Sequence, residues 1–351
     1  MPGDYEHSNV ARNSEHPPTS ADLYPAHFIA TLNGRPLLAN TGIPLDLNWV
    51  QEVRVNTSAV ERRVQSQVAR RTVKKEWQAA WLLRAISCMD LTTLSGDDTD
   101  ERVRRLCAKA RHPVQQELVE KLHIEELGIK VAAVCVYHTF IETALQALEG
   151  SGIHVAAVST GFPAGLSPLA ERVAEIRRSV EAGAHEIDVV ITRAHVFGAR
   201  WQALYDEVAA FKQACGQAHM KVILGTGDLL TLRNVARASV VAMMAGADFI
   251  KTSTGKEPTN ATLPVSLVMV RAIREYAQQT GMAVGFKPAG GIRTAKQSLD
   301  WLAMMKEELG DSWLRPEMFR FGVSGLLADI ERQLDHYATG RYSAEYRHPI
   351  A

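Results

Sequence analysis

Short apolar runs alternate with longer amphipathic stretches over most of this chain. From Ala85 onward the runs are AISCMDLTTL (85–94), VAAVCVY (131–137), HVAAVST (154–160), EIDVVIT (186–192), KVILGTG (221–227), DFIKTST (248–254), AVGFKPA (283–289) and FRFGVS (319–324). Each has the length of a strand and is almost continuously apolar, as a parallel strand covered on both faces must be. Between them the apolar spacing turns helical. Val173, Ile176 and Val180 share one face of 169–181, and similar patterns run over 201–217, 232–245 and 263–278. Asp98 and Asp100 are placed to open the helix after the first strand, and Thr294 the helix after the seventh.

Eight strand-then-helix units over roughly 255 residues match an α/β protein of the closed (β/α)8, or TIM, barrel type. The rival is a doubly wound open sheet. It often carries a glycine fingerprint after its first strand, and no G-x-G-x-x-G occurs here. Ahead of the barrel, Val60, Val64 and Val68 recur every four residues, and KKEWQAAWLLRA follows with Trp77, Trp81 and Leu82 close to one face. The expected organisation is a disordered or loop-like leader over 1–44, a helical extension over 45–84, the barrel over 85–340 and a tail over 341–351.

Hydrophobic residues make up 46% of the 351 positions, enough for a sizeable core without disulfides. Lys+Arg and Asp+Glu both number 39, which argues against nonspecific nucleic-acid binding. The four cysteines, Cys88, Cys107, Cys135 and Cys215, are scattered, which suits a reducing compartment. No apolar run reaches membrane-spanning length. The first 25 residues lack the apolar core of a signal peptide and carry Asp4, Glu6, Glu15 and Asp22, unlike an acid-poor presequence. A cytoplasmic protein without a membrane partner is the expectation. The twelve histidines show no metal spacing, so no metal and no cofactor is expected.

In a barrel, functional groups sit at the C-terminal ends of the strands. Polar residues fall there in several runs: Asp90, Asp188, Lys251, Lys287 and Ser324. The strand ends converge on one mouth, which sets Lys251 beside a second lysine, Lys287, and across from two carboxylates. Loss of water and a neighbouring cation both lower a lysine pKa. A neutral amine in such a pocket attacks a carbonyl and forms an imine, an electron sink for carbon–carbon cleavage. Asp188 is then placed to relay protons. The alternative is a buried Asp188–Lys287 ion pair with a structural role only. Gly255-Lys256 follows the sixth strand, PAGGIRT the seventh, and GVSG the eighth. Glycine-rich loops on adjacent strand ends, with Arg293 before a helix start, suit a phosphate.

The motifs DFIKTSTGK, GFKPAGGIRT, EIDVVI, MDLTTL and VAAVCVY together resemble deoxyribose-phosphate aldolase, a class I aldolase on a TIM barrel. The likeness runs from about Val73 to about Tyr342 and is closest to the longer eukaryotic members. It implies reversible cleavage of 2-deoxy-D-ribose 5-phosphate to acetaldehyde and D-glyceraldehyde 3-phosphate. By motif, Lys251 matches the Schiff-base lysine, Lys287 the second lysine and Asp188 the proton-relay carboxylate. Asp90, Thr92 and Cys135 match substrate-pocket positions. Gly255, Lys256, Gly290, Gly291, Ile292, Arg293, Gly322 and Ser324 match the phosphate loops. The implied partners are a phosphorylated sugar and a small aldehyde, and a homo-oligomer is left open.

Three positions depart from the family pattern. His138 replaces a usual proline, Gly325 stands where a second serine is common, and Gly225 replaces a usual glutamate or alanine. Tyr342 and Tyr346 lie in a tail that either folds over the mouth or frays. Two other functions remain open from sequence: a transaldolase-like lysine-imine enzyme, and a barrel retained as a non-catalytic scaffold.

Overall fold

The computed structural model describes residues 28–70, 73–344 and 347–349. Eight parallel strands form the central sheet: β3 (Met89–Thr92), β4 (Ala133–Tyr137), β5 (His154–Ser159), β6 (Glu186–Val190), β7 (His219–Ile223), β8 (Phe249–Lys251), β10 (Gly285–Lys287) and β11 (Phe321–Val323). Their spatial order is β10-β8-β7-β6-β5-β4-β3-β11, so neighbours in sequence are neighbours in space. The remaining seam is closed by parallel bridges from Phe286 to Phe319 and from Ala289 to Gly322. Backbone bonds from Phe286 N to Met318 O (2.9 Å) and from Gly322 N to Pro288 O (2.9 Å) hold it. The sheet is thus a barrel ringed by helices, as the alternation of runs predicts.

The strands are shorter than the runs that announce them. In the first run the helix Lys75–Ser87 takes the first three residues, and only Met89–Thr92 is strand. The four helices traced above agree in position with Leu169–Glu181, Trp201–Cys215, Leu232–Met244 and Leu263–Thr280. Thr294 caps Ala295–Leu309 with a full capping box, its side chain accepting from Gln297 N while Gln297 reaches back. The expected caps at Asp98 and Asp100 are displaced. Thr99 is the N-cap of Asp100–Arg111, and Asp98 accepts from Ser95 N (2.9 Å) and Thr93 Oγ1 (2.7 Å). A hydroxyl at Thr99 reaches the third amide of the helix, while Asp98 is drawn back into the loop.

The segment expected as a loop-like leader is in part a hairpin. β1 (Phe28–Leu32) and β2 (Arg35–Ala39) pair antiparallel, with Leu32 opposite Arg35. The two-residue turn is Asn33-Gly34, with φ of 50° and 77°. Both angles are positive, which is what an Asn-Gly pair supplies in a tight hairpin. β2 then runs parallel to β9 (Met282–Ala283), completing a three-stranded sheet outside the barrel. Residues 1–27 lie outside the described residues.

The extension packs by its apolar stripe. Val60 and Val64 of Thr57–Arg70 are buried, while Val68 and Trp77 are exposed. Leu82, Leu83 and Ile86 of Lys75–Ser87 join the main core. Asn40 fastens the hairpin to the barrel. Its Nδ2 donates to Met243 O (2.9 Å) and Ala247 O (2.8 Å), and its Oδ1 accepts from Gly42 N (3.1 Å) and Tyr276 Oη (3.0 Å). All of its amide capacity is satisfied in a buried site. Asn40→Ala leaves the Ala247 carbonyl and the Gly42 amide short of a partner, while the Tyr276 hydroxyl keeps Met243 O (3.2 Å), and is expected to cost about 2–4 kcal/mol in urea unfolding.

Candidate active site

The floor of the barrel mouth is a set of seven buried charged side chains. The cations are Lys221, Lys251, Lys287 and Arg320, and the anions are Asp90, Glu186 and Asp188. The parallel register places them. Lys287 is opposite Lys251, Asp188 is opposite Lys221, and Asp90 is opposite Gly322 and Ala133. Side chains alternate across a strand, so residues of one parity all enter the barrel.

Asp188 is the hub. Its Oδ2 accepts from Lys251 Nζ (2.7 Å) and Lys287 Nζ (2.7 Å), and its Oδ1 accepts from Lys221 Nζ (2.9 Å). Lys287 also donates to Asp90 Oδ2 (2.5 Å). Arg320 donates to Asp90 Oδ1 (2.6 Å) and Glu186 Oε1 (2.7 Å), and Lys221 pairs with Glu186. Three of these groups, Lys221, Glu186 and Arg320, are missed by a reading confined to strand ends, because each lies toward the start of its run. The available signal is an ionisable residue in register with inward-facing Asp188 or Asp90.

The electrostatics separate the lysines. Burial works against charge on Lys287, but the Asp188 and Asp90 carboxylates outweigh it and push its pKa up. Lys221 behaves alike, with burial outweighed by Asp188 and Glu186. Burial does most to depress Lys251; Asp188 opposes it and the Lys287 cation adds to it, so its pKa falls below the usual lysine value. Burial alone would raise Asp188, yet Lys221, Lys251 and Lys287 hold it well below the ordinary carboxylate range. The count agrees: four cations face three carboxylates, and the amine with the lowered pKa is the one whose neutrality balances the set.

Lys251 also borders the cleft above. This cleft has a volume of about 620 Å³, and its walls include Thr92, Gly255, Lys256, Gly290, Gly291, Ile292, Arg293, Gly322 and Ser324. Most of the residues singled out from sequence therefore meet in one place. Asp90, Asp188, Lys287 and Cys135 lie beneath it, fully buried. Asp90 serves there as a partner of Lys287 and Arg320 instead of forming the wall. Thr92 Oγ1 donates to Asp90 O (2.8 Å). Burial, and then Asp188, raise the Cys135 thiol pKa, so it is a poor nucleophile and behaves as packing. The Gly255 amide is occupied: Glu257 Oε2 accepts from Gly255 N (3.1 Å) and Thr254 Oγ1 (2.7 Å). That loop is therefore closed on its own carboxylate, leaving the Lys256 side chain as its cleft contribution.

The three departures have local explanations. His138 Nδ1 lies 3.6 Å from Glu175 Oε1, and the pair borders a separate depression with Ser167 and Arg178, away from the lysines. Gly225 has a φ of 66°, and a Cβ there would meet Arg193 Cδ at 2.8 Å; Arg193 lies over it and pairs with Asp228 (3.1 Å). Gly325 becomes the N-cap of Leu326–Thr339, with no side-chain cap of its own. In the tail, Tyr342 stacks on His336 at 4.1 Å, near the far end of that helix from the mouth; Tyr346 lies outside the described residues. Among the described residues, no group of three or more His, Cys, Asp or Glu is arranged to hold a metal, and no helix is long and apolar enough to cross a membrane.

A family profile described as DeoC/LacD family aldolase matches residues 84–331. Deoxyribose-phosphate aldolase of Mus musculus is 59% identical over 312 residues, 88% of this chain and 98% of the relative. The Homo sapiens protein of the same name is 57% identical over 314 residues, 89% of this chain and 99% of its own. Among solved structures, a putative deoxyribose-phosphate aldolase from Coccidioides immitis aligns with a TM-score of 0.58 at 23% identity, over 78% of this chain and 97% of its own. A tetrameric deoxyribose phosphate aldolase from Aeropyrum pernix aligns with a TM-score of 0.54 at 24% identity, over 80% and 99%. The structural likenesses establish the barrel, and the sequence relatives and profile go further: this chain is a member of the DeoC/LacD aldolase family.

Proposed function

We propose that this chain catalyses reversible aldol cleavage of 2-deoxy-D-ribose 5-phosphate to acetaldehyde and D-glyceraldehyde 3-phosphate through an imine on Lys251. The observation that carries this reading is the shared acceptor. Lys251 and Lys287 donate to one oxygen of Asp188, yet only Lys251 reaches the cleft and only Lys251 has a lowered pKa. The names of the Mus musculus and Homo sapiens relatives support the substrate.

The chemistry follows from that arrangement. The neutral Lys251 amine adds to the C1 aldehyde of the open-chain sugar and expels water, forming a protonated imine. The C3 hydroxyl loses its proton, the C2–C3 bond breaks, and its electron pair enters the imine to form an enamine. C3 leaves as the aldehyde of glyceraldehyde 3-phosphate. Protonation at C2 and hydrolysis then release acetaldehyde and the free amine. Asp188 and the Lys287 ammonium serve the proton transfers. With three lysines donating to it, Asp188 is too weak a base to store a proton and instead orients the chain of donors along which one passes. Lys256, Arg293, Ser324 and the bare backbone of Gly290 and Gly291 receive the phosphate at the other end of the cleft. A cytoplasmic location and a homo-oligomeric state complete this reading; the tetramer of the Aeropyrum pernix relative favours the latter.

Borohydride added during turnover is expected to trap an irreversible adduct on Lys251, located by peptide mass. Lys251→Ala should lose both adduct and about 10⁴-fold or more of the activity. Adduct on another lysine, or none with active substrate, contradicts the assignment. A second test reads the charge balance. Imine formation needs the neutral amine, so its rate rises with pH through the Lys251 pKa and then levels. Lys287→Leu removes one cation and leaves three against three, which favours charged Lys251. Its rising limb should move to higher pH, and an unmoved limb would show that Lys287 does not set the Lys251 charge.

A further inference from the structure

We infer that Arg332, on the last helix of the barrel, is a phosphate-binding residue that gives the cleft much of its preference for phosphorylated over unphosphorylated sugars. The inference rests on the aldolase reading above and extends it to a side chain outside the glycine-rich loops.

Arg332 borders the same cleft as Arg293, Gly291 and Ser324, although it lies in the second turn of Leu326–Thr339. Helical side chains lean back toward the N-terminus of their helix. The N-terminus here is Gly325, directly after Ser324 at the mouth, so the arginine stem runs along the helix toward the cleft. Its hydrogen-bonding capacity is largely unused. The enclosed Nε has no acceptor, and the nearest carboxylate, Asp329 Oδ1, is 4.0 Å from Nη1, too far for a hydrogen bond. Asp329 is itself engaged, with Oδ2 accepting from Ala295 N at 2.7 Å. It therefore tethers Arg332 at the cleft wall without satisfying it.

The charge of the wall points the same way. Its cations are Lys256, Arg293 and Arg332, apart from Lys251 on the floor, and its one carboxylate is Asp329. A phosphate monoester carries up to two negative charges and three exposed oxygens, more than the Arg293 loop and the Lys256 side chain fill. A guanidinium supplies a planar pair of donors to such an oxygen set; the Arg332 side chain is 34% exposed, its Nε is enclosed, and the terminal Nη1 and Nη2 are the pair left for a ligand. An unphosphorylated sugar leaves Arg332 as it stands and gains nothing from it.

The test uses the full-length chain with 2-deoxyribose 5-phosphate, 2-deoxyribose and inorganic phosphate. Arg332→Gln is expected to raise KM for the phosphorylated sugar about tenfold with a much smaller change in kcat. The ratio of kcat/KM between the two sugars should fall by a similar factor, and inhibition by inorganic phosphate should weaken. Arg332→Lys, which keeps the charge but loses the fork, should fall between wild type and Arg332→Gln. An unchanged ratio overturns the inference. So does a parallel loss on both sugars with a lowered thermal midpoint, which marks a structural role. If the wild-type chain turned over neither sugar, the aldolase reading would fail; titration of inorganic phosphate by calorimetry would still decide Arg332, with equal affinity in wild type and Arg332→Gln counting against it.

Discussion

Asp188 accepts hydrogen bonds from three lysines that reach it from β7, β8 and β10. Two of those lysines share a single oxygen, and the third holds the other. Everything distinctive about the mouth follows from this one acceptor. It keeps Lys287 and Lys221 charged, and it holds the Lys251 amine at the base of the cleft. Because Asp188 cannot neutralise three ammonium groups, the lysine with the weakest carboxylate support is the one driven toward neutrality. Lys287 has Asp90 in addition and Lys221 has Glu186; Lys251 has Asp188 alone.

Burying seven ionisable groups in one core is a poor route to stability, since desolvation commonly exceeds the attraction gained. The barrel tolerates it because the groups satisfy one another. Arg320 bridges Asp90 and Glu186, so the carboxylates it holds stay ionised and keep their lysines charged. The network is buried throughout, and its member that borders the cleft is Lys251, only 3% exposed. Its charge state is therefore set from below by groups outside the cleft, while its amine faces the cleft above.

The end of the cleft proposed to receive the phosphate works on another principle. Its donors are backbone amides, a helix start and side chains at the rim, all near water, where single contacts are weak and several must combine. Glu257 already fills the amides of Thr254 and Gly255, which fixes the β8 loop before any ligand arrives and leaves Lys256 projecting. Thr294 and its capping box do the same for the loop after β10. Preformed loops on adjacent strand ends lower the ordering cost of binding.

Much of this was legible in the chain itself. Eight near-continuous apolar runs separated by amphipathic stretches determine a parallel barrel, because strands covered on both faces have no polar side to show. Lys251 and Lys287 stand out because each closes an apolar strand, and Asp188 because it interrupts one, where an ionisable side chain needs a reason. Asn33-Gly34 is a local turn signal, but the strands it joins, FIATL and RPLLA, are short and show no apolar/polar alternation, and β2 buries Leu37 alone. Lys221, Glu186 and Arg320 could not be placed from sequence: toward the start of a run a charge reads as flanking polarity, and only the register shows that it enters the barrel beside Asp188 or Asp90. The order of the lysine pKa values likewise belongs to tertiary structure, since it depends on which carboxylate each amine reaches. Sequence determines where charges lie along a strand; their balance within the core depends on distances that only the closed barrel sets.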